Sequence, residues 1–136
     1  MGGTITPVWV AQVGAVYPIR TYSRHRQNII KQSASTVMKM QKYFRLMNMR
    51  LDVVVKDIVG LTGSKIISDF VKGEKSGKEL AKNRHYNCKK SEEEIAKALQ
   101  YNGREDYYFA LQQEWHTYLH LQKQIDAVDI QIKKHL

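Results

Sequence analysis

His116 and His120 stand four residues apart, a spacing at which two imidazoles on one helix face can hold a metal ion. No Glu follows His116 and no third ligand is evident, so the pair reads as exposed or half-packed beside Trp115. His85 and Cys88 form an H-x-x-C pair, and one His with one Cys does not fill a tetrahedral zinc site. Cys88 also has Lys89 and Lys90 beside it, but no triad partner or oxyanion element accompanies it as a nucleophile. Glu92, Glu93 and Glu94 are adjacent carboxylates, yet Ser91-Glu92-Glu93-Glu94 is a capping box. In it the Ser91 hydroxyl takes the Glu94 amide and the Glu94 carboxylate reaches back. The expectation is a chain with no catalytic residues, no metal ligands and no cofactor of its own.

The cations offer a different chemistry. Residues 20–50 carry Arg20, Arg24, Arg26, Lys31, Lys39, Lys42, Arg45 and Arg50 and no acid. Residues 72–90 carry seven bases against Glu74 and Glu79, whereas residues 91–136 carry eight acids against five bases. Two explanations stand side by side. The basic segment can match an acidic partner helix electrostatically. Alternatively, Arg20, Arg24, Arg26, Lys31, Lys39, Lys42 and Arg45 form a phosphate-facing stripe, with Tyr22 among them for stacking. Leu61-Thr62-Gly63 is not a phosphate loop, because no Gly-Lys-Ser/Thr follows at the required spacing. It loosely resembles a helix-hairpin-helix DNA-binding turn, and a helix C-cap followed by a turn is the simpler reading.

The chain that must position these residues has 136 residues, enough for one domain and too short for two ordinary ones. Hydrophobic residues at 43% and charged residues at 26% give a globular balance rather than a disordered one. A single cysteine excludes an internal disulfide. No run of 18 apolar residues exists, so no membrane span is expected. The net charge of +9 makes an acidic partner the expectation, with nucleic acid first among candidates.

Periodicity predicts an all-α fold. Residues 1–18 read as a leader, with Thr4–Val16 either a short strand or unanchored, and Pro18 as a helix opener. Met1-Gly2 with Thr6 fits the loose N-myristoylation pattern, a match common by chance. The first long, basic helix is expected over residues 19–59, about 60 Å at 1.5 Å per residue. Its seam runs Arg26, Ile30, Ser33, Val37, Met40, Phe44, Met47, Leu51, Val54 and Ile58, in alternating steps of four and three. Residues 60–103 form a small helical insert, with short helices over Ser64–Val71 and after Ser91 and a helical turn at Lys78–Asn83. The second long helix spans 104–136, with Leu111, Trp115, Tyr118, Leu121, Ile125, Val128 and Ile132 on its stripe. The predicted architecture is an elongated antiparallel helical hairpin or coiled coil of two long helices, with the insert at the tip. Val37, Met40, Phe44, Met47, Leu51, Trp115, Tyr118 and Ile125 are the residues expected to pair helices within and between chains.

Three stretches carry a resemblance. The first is Arg20-Thr21-Tyr22-Ser23-Arg24-His25-Arg26, with Lys39-Met40-Gln41-Lys42 and Met47-Asn48-Met49-Arg50-Leu51 after it. The second runs from Asp57 through Ile58-Val59-Gly60-Leu61-Thr62-Gly63-Ser64-Lys65-Ile66-Ile67 to Gly73-Glu74. The third is Cys88-Lys89-Lys90-Ser91-Glu92-Glu93-Glu94-Ile95, followed by Arg104-Glu105 and Phe109-Ala110-Leu111-Gln112-Gln113. In this order and spacing, over about Arg20 to Leu136, they resemble the middle of bacterial insertion-sequence transposases with a DEDD, RuvC-like catalytic domain. This is the insertion-sequence family numbered one hundred and ten, whose members recombine DNA under an RNA guide.

The resemblance implies the end of the first catalytic domain plus the coiled-coil linker used in assembly. The family's acidic, divalent-metal-binding tetrad would lie upstream of Arg20, and Met1–Ile19 contains no Asp or Glu. Its serine-bearing domain would follow Leu136. None of the family's catalytic residues can therefore be carried over. The resemblance implies a fragment: a truncated reading frame, a decayed element or an isolated linker. Its expected partners are DNA, guide RNA and further copies of itself, in the bacterial cytoplasm and away from membrane. The competing expectation is a standalone basic helical module that binds nucleic acid or a protein helix.

Overall fold

The computed structural model describes the backbone from Val8 to Leu136 and side chains from Tyr17 onward. The described residues are all-α, with no strand among them and one isolated antiparallel bridge between Met49 and Leu99. The helices are α1 (Val8–Leu46), α2 (Leu51–Val54), α3 (Leu61–Val71), α4 (Gly77–Leu80), α5 (Glu92–Ala98) and α6 (Glu105–Lys134). A 3-10 turn over Ala81–Asn83 follows α4. The myristoylation pattern lies outside the described residues. The strand weighed for Thr4–Val16 is overturned from Val8 onward, where the backbone is helical. Pro18 does not open the helix but lies inside it. An interior proline removes one backbone hydrogen bond and strains the preceding turn, but need not end the helix when neighbouring residues hold it.

The first long helix also stops earlier than its periodicity predicts, at Leu46 rather than near Val59. Asn48 adopts the left-handed conformation, with φ of 63°. Its amide donates to the Arg45 carbonyl at 3.0 Å, and the Met49 amide to the Phe44 carbonyl at 2.8 Å. These two bonds are a Schellman stop, built on asparagine where glycine is usual. The chain is then stitched across to α5, with the Arg50 amide donating to the Ala98 carbonyl at 2.8 Å.

The chain divides into two compact units. One comprises α1 up to Ser33 and Leu119–Leu136, which is the end of α6 and the two residues after it; the other comprises Ala34–Tyr118. In the first unit the two helix segments run antiparallel around buried Ile29, Leu121 and Val128. Tyr22 meets His135 with ring centroids 5.5 Å apart, and Ser33 accepts a bond from Gln122 at 3.0 Å. The expected seam residue Ile30 is 40% exposed, and Ile29 takes its place at 2%. The buried line runs Ile29, Ser33, Thr36 and Met40, and Arg26 sits at its edge, where its guanidinium reaches Asp129 at 2.6 Å.

In the second unit Met40, Phe44, Met47, Leu51, Val54 and Ile58 are buried, as the seam predicts, although they come from three separate segments of chain. Ile66, Ile67, Phe70, Leu80, Ile95 and Leu99 of the expected insert share that one core with Leu111 and Trp115. Phe70 is its centre. Its ring lies 6.0 Å from Phe44, 5.4 Å from Tyr101 and 4.9 Å from Tyr108, the last two edge-on. The end of α3 is closed from α6: the Tyr108 hydroxyl donates to the Phe70 carbonyl at 2.6 Å, and Gln112 to the Val71 carbonyl at 2.9 Å.

The capping box of α5 is present, with both of its reciprocal bonds. The Ser91 amide and hydroxyl hold the Glu94 carboxyl below the usual glutamate range. A lowered carboxyl pKa stabilises the fold above the unfolded value, and that contribution is lost as pH falls through the folded value. Ser91→Ala should cost about 1 kcal/mol at neutral pH. Thermal melts should show the gap from the unsubstituted protein narrowing as Glu94 protonates. A gap that is constant from pH 7 to pH 3 would contradict the bond from the Ser91 hydroxyl to the Glu94 carboxylate.

Candidate nucleic-acid interface

The cations of α1 are positioned by helical spacing alone. In the first unit Arg20, Arg24 and Lys31 are exposed, and their steps of four and seven residues put them on one face. Tyr17 shares that face and is 59% exposed. Tyr22 does not serve the stripe, because its ring is turned onto His135. Arg26 is committed to Asp129. In the second unit Lys39, Lys42 and Arg45 recur every third residue and are exposed.

None of Arg20, Arg24, Lys31, Lys39, Lys42 and Arg45 forms an ion pair among the described residues. Residues 1–16 contain no Asp or Glu that could supply one. Of the two explanations for the basic segment, matching against an acidic helix accounts for Arg26 alone.

The residues expected to pair helices are occupied inside the chain. Met40, Phe44, Met47, Leu51 and Trp115 are buried in the core of the second unit, with Val37 and Tyr118 packed at its edge. Ile125 packs at the edge of the first unit's core. Phe44→Asp would therefore test folding rather than association. The large apolar side chains left outside are different ones, including Ile30, Leu119 and Ile130 in the first unit.

A second basic feature was not legible in the sequence. The second unit has a groove of about 570 Å³ between the start of α3 and the His85–Lys90 loop. Lys56, Lys89, Lys90 and His85 line it, together with Thr62 and Gly63 of α3. Val53 and Leu61 form apolar walls, and Asp57 is the only carboxylate of the lining. That carboxylate accepts the Val59 amide at 3.1 Å and so builds the turn into α3. The Gly60 amide closes the turn on the Asp57 carbonyl at 3.0 Å.

Residues 61–63 were expected to be a turn, with α3 beginning at Ser64. They are its first helical turn instead, because Gly60 caps it in extended conformation. No side chain caps α3 and no acid lies in its first turn, so the amides there have no partner within the helix. Gly63 is required at the crossing: a Cβ there would lie 2.1 Å from the Ile58 carbonyl oxygen.

The opposite wall is pinned by Arg84. Its guanidinium donates to the Lys90 carbonyl and, at 2.6 Å, to the Cys88 carbonyl. His85 Nδ1 accepts the Asn87 amide at 3.1 Å, which puts the proton of a neutral ring on Nε2. Cys88 is free and half-buried. His116 and His120 are both exposed. Among the described residues, no three His, Cys, Asp or Glu side chains gather at metal-binding distance. No described helix is long and apolar enough to cross a membrane. No family model, no curated protein and no solved structure matches the chain.

Proposed function

We propose that the chain is the nucleic-acid-contacting and chain-pairing part of a DNA transposase, without catalytic residues of its own. The observation that carries the nucleic-acid part is the set of unpaired cations on α1: Arg20, Arg24, Lys31, Lys39, Lys42 and Arg45. Cations recurring along one helix repel each other, and a polyanion relieves that repulsion while releasing its counterions. The attribution to transposition rests on the three collinear stretches, from Arg20 to Gln113, that resemble the insertion-sequence family. On that reading the partners are DNA and guide RNA, in the bacterial cytoplasm.

Pairing of the two long helices, α1 and α6, belongs to the same reading. Buried residues of both helices already fill the cores within the chain. Association of copies would use side chains left outside, such as Ile30, Leu119 and Ile130. A standalone basic binder would use the same cations; the transposase part should self-associate, whereas a standalone binder need not.

The test of nucleic-acid contact replaces Arg24, Lys31, Lys42 and Arg45 together with Gln. All four are exposed, so the melting temperature should be unchanged. Affinity for duplex DNA at low salt should fall about tenfold or more, with a shallower salt dependence. Normal melting with unchanged affinity would overturn the reading.

A further inference from the structure

The second unit presents one aromatic ring that its core does not use. Tyr86 is 80% exposed, more than any other described aromatic residue. It stands at the tip of a β-turn from His85 to Cys88, closed by the Cys88 amide on the His85 carbonyl at 2.9 Å. The turn is braced from within. The Arg84 guanidinium donates to the Lys90 and Cys88 carbonyls, and His85 Nδ1 accepts the Asn87 amide. None of these bonds involves the Tyr86 side chain. The ring is therefore held out by a fixed backbone.

One side of that ring is backed. The His85 imidazole lies against it, with centroids 4.3 Å apart and planes 34° from parallel. The half-buried imidazole orients the phenol and leaves the rest of its surface open to solvent. A single exposed ring is ordinary on a protein surface. A ring backed by a second ring, on a braced turn among cations, is built like a stacking platform. Residues 72–90 carry seven bases against two acids. Lys89, three residues after Tyr86, is exposed and has no ion pair among the described residues. A purely apolar partner gains nothing from these charges. A nucleotide brings a flat π face for the ring and a phosphate for the cations.

We infer that the His85–Tyr86 pair stacks an unpaired nucleobase of a single-stranded nucleic acid, with Lys89 and its basic neighbours attracting the strand. This rests on the proposed nucleic-acid contact and adds the state of the strand to it. The α1 cations attract any polyanion. A stacking ring needs a base whose face is free, and inside a duplex both faces of a base are covered by its neighbours.

The experiment titrates the full chain at low salt with an oligothymidylate, an oligouridylate and a blunt DNA duplex. Tyr86→Ala should weaken single-strand binding about tenfold. The log–log salt slope should not change, because no charge is lost. Duplex affinity and the melting temperature should also be unchanged. Tyr86→Trp should keep single-strand binding, and Tyr86→Leu should lose it as alanine does. A loss confined to the thymidylate or to the uridylate identifies the strand as DNA or RNA and upholds the platform.

Failure takes distinguishable forms. Single-strand affinity unchanged by Tyr86→Ala overturns the platform, leaves the α1 contact standing, and is the result expected of a ring kept for a protein partner. An equal loss on duplex and single strands overturns the assignment to an unpaired base. Leucine binding as well as tryptophan overturns stacking. No binding of any strand at low salt overturns both readings. Single-strand binding lost with Tyr86→Ala but kept in the four-glutamine variant of α1 upholds the platform and overturns the α1 contact.

Discussion

Phe70→Ala is expected to be the most damaging single truncation in the chain. Phe70 is 0% exposed, and its ring touches Phe44, Tyr101 and Tyr108, which come from three different parts of the second unit. Removing a fully buried phenyl group costs about 3–5 kcal/mol through lost transfer energy and the cavity left behind. The edge-on ring pairs add to that, because they cannot re-form with a methyl group. Since a domain of this size is stable by only about 5–15 kcal/mol, the variant should melt far lower or fail to fold at 37 °C. Phe109→Ala is the matched control. Phe109 is 61% exposed, so its loss should move the melting temperature by no more than a few degrees. Equal effects at the two positions would contradict the described core.

Gly63→Ala comes second, for a different reason. The added methyl carbon would sit 2.1 Å from the Ile58 carbonyl oxygen and 2.9 Å from the Ile58 Cα. Both are backbone atoms, so no side-chain rotation relieves the clash. Either α3 moves away from the preceding turn or the turn opens. Overpacking of this kind usually costs about 1–3 kcal/mol, and a backbone clash falls at or above the upper end. The melting temperature should drop by about 10 °C. Gly103→Ala separates this from the general cost of losing a glycine. Gly103 has φ of 83° but open space around it, so only its backbone conformation, worth roughly 1 kcal/mol, is at stake. A Gly63→Ala protein that melts within two degrees of the parent would show that α3 and Ile58 are not in close contact.

What the sequence displayed and what it concealed follow from the range of the forces involved. The α5 capping box was legible because Ser91 and Glu94 make it by themselves, three residues apart. The buried positions Met40, Phe44, Met47, Leu51, Val54 and Ile58 were legible from their period. The helix that seemed to carry them all was not there, because Asn48 stops α1 with a left-handed residue that asparagine adopts less often than glycine. An apolar period can survive a break in the helix when the pieces return to one core. Ile29 lies inward in place of Ile30 because it packs with Leu121 and Val128, which are far along the chain. No local pattern contains that information.

The candidate site divides in the same way. The α1 cations were visible as a run of bases without acids, since exposed charge needs no tertiary partner to be recognised. Whether those bases were paired was not visible, because their pairing depends on where α6 lies. The groove was hidden for the same reason. Its lysines come from residues 56 and 89–90, and its hydroxyl from residue 62. Only the fold brings them to one opening. Thr62 read as part of a turn, and nothing in its neighbours announces that it lines a groove with residues of the 85–90 loop.

The most direct measurement is a titration of the full chain with duplex DNA, single-stranded DNA and structured RNA across a range of salt concentrations. The unpaired cations of α1 predict tight binding at low salt and a log–log slope of about −3 or steeper on duplex DNA, at roughly −0.9 per contacted phosphate. Binding of structured RNA with a similar slope would point the same cations at a guide. No binding of any of the three at low salt would mean that the net charge of +9 has no polyanionic partner, and the proposed role in nucleic-acid contact would be wrong.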